Sequence, residues 1–222
     1  MEELILGIDD AGRGPVIGPM VLAGCLIEKK IEPEFRKLGV KDSKQLTAKR
    51  RDHLANIIRE KAEDFEIVTV LPEEIESSNT EGTKLNEVEA IACAKIINRI
   101  NKGYGKIKVV LDCPSTGIEK WRNFLMTRID DLSNLEVVCE HKADINHLAV
   151  SAASILAKDV REKEMSILRE KYGNEIGSGY SSDPYTMRFL QKNANKLADH
   201  GLFRKTWATW KNAVANLEQK RL

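Results

Sequence analysis

Three short apolar runs of the chain hand over to aspartate, and this limits the possible folds more than any other feature. Residues 4–8 run into Asp9 and Asp10, residues 107–111 into Asp112, and residues 135–139 are followed shortly by Asp144. Apolar runs of this length, bounded by turn residues, read as strands. One aspartate behind a strand is an ordinary turn former or helix cap. Three strands that deliver acid at one end mean more, because neighbouring strands lie about 5 Å apart and their ends converge on one patch. Clustered carboxylates repel one another and invite hard divalent cations such as Mg²⁺ or Mn²⁺. Two such ions about 4 Å apart can clamp the attacking and leaving oxygens of a phosphodiester. The acids by themselves point to a divalent-metal phosphoesterase.

The remaining pattern fills in an α/β chain. Residues 20–27 form a second strand, joined to the first by the glycine-rich turn of residues 12–18, and residues 65–71 form a third that stops at Pro72. Residues 47–61 read as a helix capped by Thr47, and Leu85, Val88, Ala92 and Ile96 mark another. A helix runs through Trp121 and Leu125, a long alanine-rich helix covers residues 147–172, and Leu190 and Leu197 suggest a short one. Trp207, Trp210, Val214 and Leu217 recur at the spacing of a packing helix, which makes the tryptophans core rather than base-stacking platforms. The order β-β-β-α-α-β-α-β-α, then helices, predicts a mixed β-sheet flanked by helices, with a small helical C-terminal appendage. A division into residues 1–178 and 179–222 follows from it.

The turn AGRGPVIGP brings Gly12 and Gly14, which let backbone approach a ligand, on either side of Arg13, whose guanidinium suits phosphate. Its spacing fits neither a dinucleotide fingerprint nor a P-loop. A tight structural hairpin is the alternative. From residue 185 onward there are eight Lys and Arg against two acids, a local +6, which leaves −5 for residues 1–184 of a chain whose formal net charge is +1. A basic tail behind an acidic body suits a polyanionic partner. Cys25, Cys93, Cys113 and Cys139 show no C-x-x-C pairing, and His53, His141, His147 and His200 are scattered, so reduced core thiols are expected rather than a zinc site. No run approaches the roughly 18 apolar residues of a membrane helix, and the first apolar run is too short for a signal peptide's core. A cytoplasmic protein, monomeric and without membrane partners, is expected.

The ordered motifs GIDDAGRGPVIGPMVLAG, VKDSKQL, LDCP, EHKAD, AASILAKDVRE and GSGYSSDPYT resemble those of ribonuclease HII in its archaeal form, over about residues 7–186. The resemblance implies an RNase H-like fold and a C-terminal part that helps hold the duplex. It implies an endonuclease that cuts the RNA strand of RNA–DNA hybrids, and 5′ of ribonucleotides in duplex DNA, with two Mg²⁺ or Mn²⁺ ions. The positions matching the family's metal-binding acids are Asp9, Asp10, Asp112 and Asp144. Gly12, Arg13 and Gly14 match its sensor of the ribose 2′-hydroxyl, and Tyr180 matches the tyrosine that stacks on the sugar at the RNA-to-DNA junction. Lys44 is implied as a phosphate contact, and Lys158 as a neighbour of the acids. The chain departs from the family in one place, reading Asp9-Asp10 where the family has aspartate then glutamate. A retraction of about 1 Å can cost on the order of 100-fold in rate. Two rivals remain: a structure-specific DNA nuclease on a similar fold, which has no use for a 2′-hydroxyl sensor, and a nucleic-acid binder whose catalysis Asp10 has impaired.

Overall fold

The structure, a computed structural model, describes residues 3–40 and 46–219. The strands among them are β1 (Leu4–Ala11), β2 (Met20–Glu28), β3 (Asp64–Val70), β4 (Ile107–Asp112) and β5 (Leu135–Glu140). The helices are α1 (Glu32–Leu38), α2 (Ala48–Lys61), α3 (Pro72–Thr80), α4 (Leu85–Ile100), α5 (Ile118–Met126), α6 (Ala143–Asn146), α7 (Leu148–Tyr172), α8 (Pro184–Asn193) and α9 (Ala208–Gln219). The strands form one sheet in the order β3-β2-β1-β4-β5, with β1 antiparallel to β2, and with β1, β4 and β5 mutually parallel neighbours. The mixed sheet with flanking helices is thus as expected.

Three helices, α1, α3 and α6, were not foreseen, while α2 lies between β2 and β3, where the expected helix of residues 47–61 falls. Seven-residue α1 is too short to show a period; it is held by a proline in its first turn and by Gly39 in the left-handed conformation (φ 83°) at its end. Pro72, read as a strand stop, also opens α3, where the Glu74 carboxylate accepts the Leu71 N–H at 2.7 Å. Thr47 caps α2 as expected, accepting from the Arg50 N–H at 3.3 Å. The residues of β3 are half-buried up to Val70, with no alternation between a buried and an exposed face.

The described chain forms two compact units. The first comprises Met1–Ala11, Val21–Val68 and Leu85–Val160, and the second Gly12–Met20, Thr69–Lys84 and Arg161–Leu222. The expected appendage of residues 179–222 falls wholly within the second, together with parts of the chain far from it in sequence. In the first unit, strand alternation sends Ile5, Ala23, Cys25 and Val110 to the face covered by the alanine-rich start of α7, and Leu6 and Gly24 to the face that meets Ile96 and Ile100 of α4. A Cβ on Gly7 would lie 2.1 Å from the Ala149 carbonyl carbon, so a side chain there would push α7 off the sheet.

The second unit is built on Val16, Ile17, Met165, Ile176, Phe189, Phe203 and Trp210, with the Phe203 and Trp210 ring centroids 4.6 Å apart. Trp207, Val214 and Leu217 pack on the same cluster, which makes the α9 stripe core, as expected. All four cysteines are free thiols, three of them buried, and burial pushes Cys25 up to about 12. No described helix is long and apolar enough to cross a membrane.

Candidate active site

Register decides where each acid of the first unit stands. Ile8 pairs with Leu111 across the parallel β1–β4 ladder, so Asp9 and Asp112 are the next residues on adjacent strands and share a face. Asp9 lies opposite Ala23 in β2, on the α7 face, whereas Asp10 lies opposite Leu22, on the α4 face. Asp112 accepts the Ala143 N–H at 3.3 Å, tying α6 to the end of β4. The chain reaches α6 through Lys142, which adopts the left-handed conformation (φ 58°), and this turn brings Asp144 into a buried position. The carbonyl of Asp144 accepts the Ser151 hydroxyl at 2.5 Å, fixing α6 against the first turn of α7.

Asp9 is 8% exposed and its pKa is pushed up to about 8. Burial is the main cause; the charges of Asp10 and Asp112 add to it, and a hydrogen bond from Ser154 and the Asp10 N–H, 2.8 Å away, oppose it. Lys158, one turn along α7, donates to the Ser154 hydroxyl at 3.1 Å. Lys158 is thus linked to Asp9 through Ser154, a serine that sequence reading missed. On the other face, the buried Glu89 of α4 joins Asp10 and Asp9 in raising the Cys93 thiol, after burial itself. Glu89 was also missed; its one sequence signal is an acid inside the apolar face of a helix.

Among the described residues, no three His, Cys, Asp or Glu side chains form a ready-made metal cage. The donor set still suits a hard cation: carboxylate oxygens only, with one carboxyl buried beside two negative neighbours so that the proton stands where a counter-charge belongs. A cavity of about 580 Å³ opens at the other end of these strands, between Glu3, Tyr104, Lys108 and Glu136. It gathers none of these acids, and Lys106 on its wall is paired with Glu136 at 3.4 Å.

The turn and the tyrosine belong to the second unit. Gly12 takes a left-handed conformation (φ 80°), and a Cβ there would lie 2.1 Å from Arg161 Nε. Gly14 differs: a Cβ would meet nothing nearer than Tyr180 Cε1, at 4.0 Å. Tyr180 is 40% exposed, and the Arg161 guanidinium lies 5.1 Å from its ring centroid. Arg161 also donates to the Ser178 carbonyl at 3.1 Å, while its buried Nε has no hydrogen-bond partner among the described residues. The turn is anchored by Arg204, which is fully buried and donates to the carbonyls of Arg13 at 2.7 Å, Gly12 at 2.6 Å and Gly18 at 2.9 and 3.1 Å. Trp207 Nε1 donates to the Gly14 carbonyl at 3.2 Å. Arg161 and Arg204 had no assigned role at the turn in the sequence, where a buried arginine looks like any other basic residue, and Trp207 was read only as core. Lys44 lies outside the described residues.

Comparison with known proteins identifies the family. The sequence pattern of the Ribonuclease HII family matches residues 6–210. Ribonuclease HII of Methanococcus maripaludis strain C6 is 40% identical over 223 aligned residues, covering 99% of this chain and 91% of that protein. The crystal structure of ribonuclease H2 from Pyrococcus horikoshii OT3 superposes with a TM-score of 0.86 at 33% identity, over 97% of this chain and 99% of that one. RNase HII of Archaeoglobus fulgidus, solved as a complex with PCNA, superposes with a TM-score of 0.80 at 38% identity, over 92% and 95% of the two chains. These matches bear out the RNase H-like mixed sheet, and the chain belongs to the ribonuclease HII family and is an enzyme of the ribonuclease H type.

Proposed function

We propose that the enzyme hydrolyses the RNA strand of RNA–DNA hybrids and cuts 5′ of ribonucleotides embedded in duplex DNA, leaving 3′-hydroxyl and 5′-phosphate ends. The observation that carries the reading is the placement of Asp9 and Asp112 on one face at adjacent strand ends, with Asp9 buried and held as the acid. Asp9, Asp10, Asp112 and Asp144 would hold two Mg²⁺ or Mn²⁺ ions. When bound, such ions supply Lewis-acid stabilisation of the attacking and leaving oxygens. Ser154 orients the Asp9 carboxyl, and Lys158 fixes Ser154.

Selection of substrate falls to the second unit. Gly12, Arg13 and Gly14 follow Asp10 closely in the chain, and the open space at Gly14 leaves room for a sugar against the backbone. Tyr180 presents a partly exposed ring beside Gly14, suited to stack on the next sugar. Lys44 is assigned as a phosphate contact from the family motif alone. Action in the cytoplasm as a monomer belongs to the same reading.

The test is cleavage of a DNA duplex containing one ribonucleotide, in Mg²⁺, Mn²⁺ or chelator, beside an all-DNA duplex and an Asp112→Asn variant. The expected result is metal-dependent cutting 5′ of the ribonucleotide that the variant loses. Equal cutting of the all-DNA duplex, or cutting in chelator, would overturn the assignment.

A further inference from the structure

Four hydrogen bonds from a single buried guanidinium to the turn of residues 12–18 are more than a hairpin needs to close. The Arg204 side chain reaches the carbonyls of Gly12, Arg13 and Gly18 at 2.6–3.1 Å. In a planar trans peptide, the carbonyl of one residue and the N–H of the next point in opposite directions. With the Gly12 and Arg13 carbonyls drawn in towards Arg204, the N–H groups of Arg13 and Gly14 are turned away from it. The Gly14 N–H has no acceptor among the described residues. A Cβ at Gly14 would find open space up to the Tyr180 ring.

We propose that Arg204 is a positioning residue for sugar selection: it holds the carbonyl side of the turn so that the Arg13 and Gly14 amides face the 2′-hydroxyl of a ribonucleotide. The inference rests on the reading of this turn as a ribose sensor, and extends it to the C-terminal segment. Arginine is the side chain the task requires. Its planar fork reaches three carbonyls at once, whereas a lysine ammonium of similar length makes a point contact with one or two. The Trp207 ring lies 5.2 Å from the Arg204 guanidinium carbon and its Nε1 holds Gly14, so the same segment secures the turn twice. Amides aimed in advance at a hydroxyl favour it over a hydrogen atom, because the deoxy substrate leaves them without a partner.

The experiment compares KM for a duplex carrying one ribonucleotide with Ki for the same duplex made wholly of DNA, the latter as a competitive inhibitor. Neither constant depends on how much of a preparation is folded. In the wild type Ki should far exceed KM. In Arg204→Lys the ratio should fall by about tenfold or more, and in Trp207→Phe by a smaller factor in the same direction. Trp207→Phe keeps the aromatic packing, and so carries the test should Arg204→Lys fail to fold. A lower kcat with an unchanged ratio would mean that Arg204 only supports the fold, and the proposal would be overturned. A wild type that fails to distinguish the two duplexes would sink the ribose-sensor reading itself, and this inference with it.

Discussion

Gly14 and Gly12 stand two residues apart and are glycine for different reasons. Gly12 has φ 80° and the Arg161 side chain against its Cα, so the fold excludes a side chain there. Gly14 has neither constraint. Gly14→Ala should therefore melt within about 0.5 kcal/mol of wild type while raising KM for the ribonucleotide duplex about tenfold or more. A loss of stability equal to that of Gly12→Ala would place the whole requirement inside the fold. Asp9 gives a second prediction. Its pKa of about 8, against the ordinary 3.8, means the folded state keeps a proton that the unfolded chain releases. The associated stability is complete below pH 3.8 and is lost as pH rises through 8. Asp9→Asn should accordingly raise the melting temperature in chelator at pH 8, by an amount that shrinks towards pH 4, and should abolish cleavage. Asp10 gives a third. It stands on the face opposite Asp9 and Asp112, so its carboxylate must reach round the strand end to meet them. Asp10→Glu adds a methylene to that reach and should raise kcat in Mg²⁺ by about 10- to 100-fold. An unchanged kcat would show that the short side chain already reaches. The acids were legible because strand ends are visible in a sequence; Ser154, Glu89 and Arg204 were not, because their roles come from what they are buried against.

Element boundaries follow local chemistry that a periodic pattern misses. Helix α8 begins where Asp183 accepts the Tyr185 N–H at 2.9 Å, and the same carboxylate accepts the Ser178 N–H at 2.7 Å, fixing the segment that carries Tyr180. The Ser178 bond is the main reason the Asp183 pKa lies below its ordinary value. The ionised group therefore stabilises the folded state above about pH 3.8, and that contribution is lost as pH falls through the lower folded value. Asp183→Ala should cost about 1 kcal/mol in urea unfolding at pH 7, with the difference from wild type closing as the Asp183 carboxylate is protonated at acid pH. A pH-independent difference would assign the effect to packing. The long helices α2, α4 and α7 were legible from their repeating apolar faces. Helices α1 and α3 span too few turns to repeat, and their signals, proline first turns and a glycine stop, are shared with ordinary loops.

At the scale of the molecule, the +6 of residues 185–222 overstates the charge offered to a polyanion. Arg204 is fully buried, and Lys205 is paired with Asp199 at 3.1 Å. Lys192, Lys196 and Lys211 remain exposed. A few phosphate contacts of this kind should make KM rise about tenfold or more between 50 and 200 mM salt, with kcat little changed, as steady-state cleavage would show. A KM indifferent to salt would remove the tail from the binding surface. The sequence by itself determined the mixed sheet and the family, and pointed to four acids near strand ends, because hydrophobic period and turn chemistry act over a few residues and survive being read in a line. Tertiary structure alone decided that Asp9 and Asp112 share a face that Asp10 does not, that Ser154 holds Asp9, and that Arg204 is spent on the turn some 190 residues before it. Each of these depends on strand register or on packing between residues distant in the chain, and no local pattern encodes either.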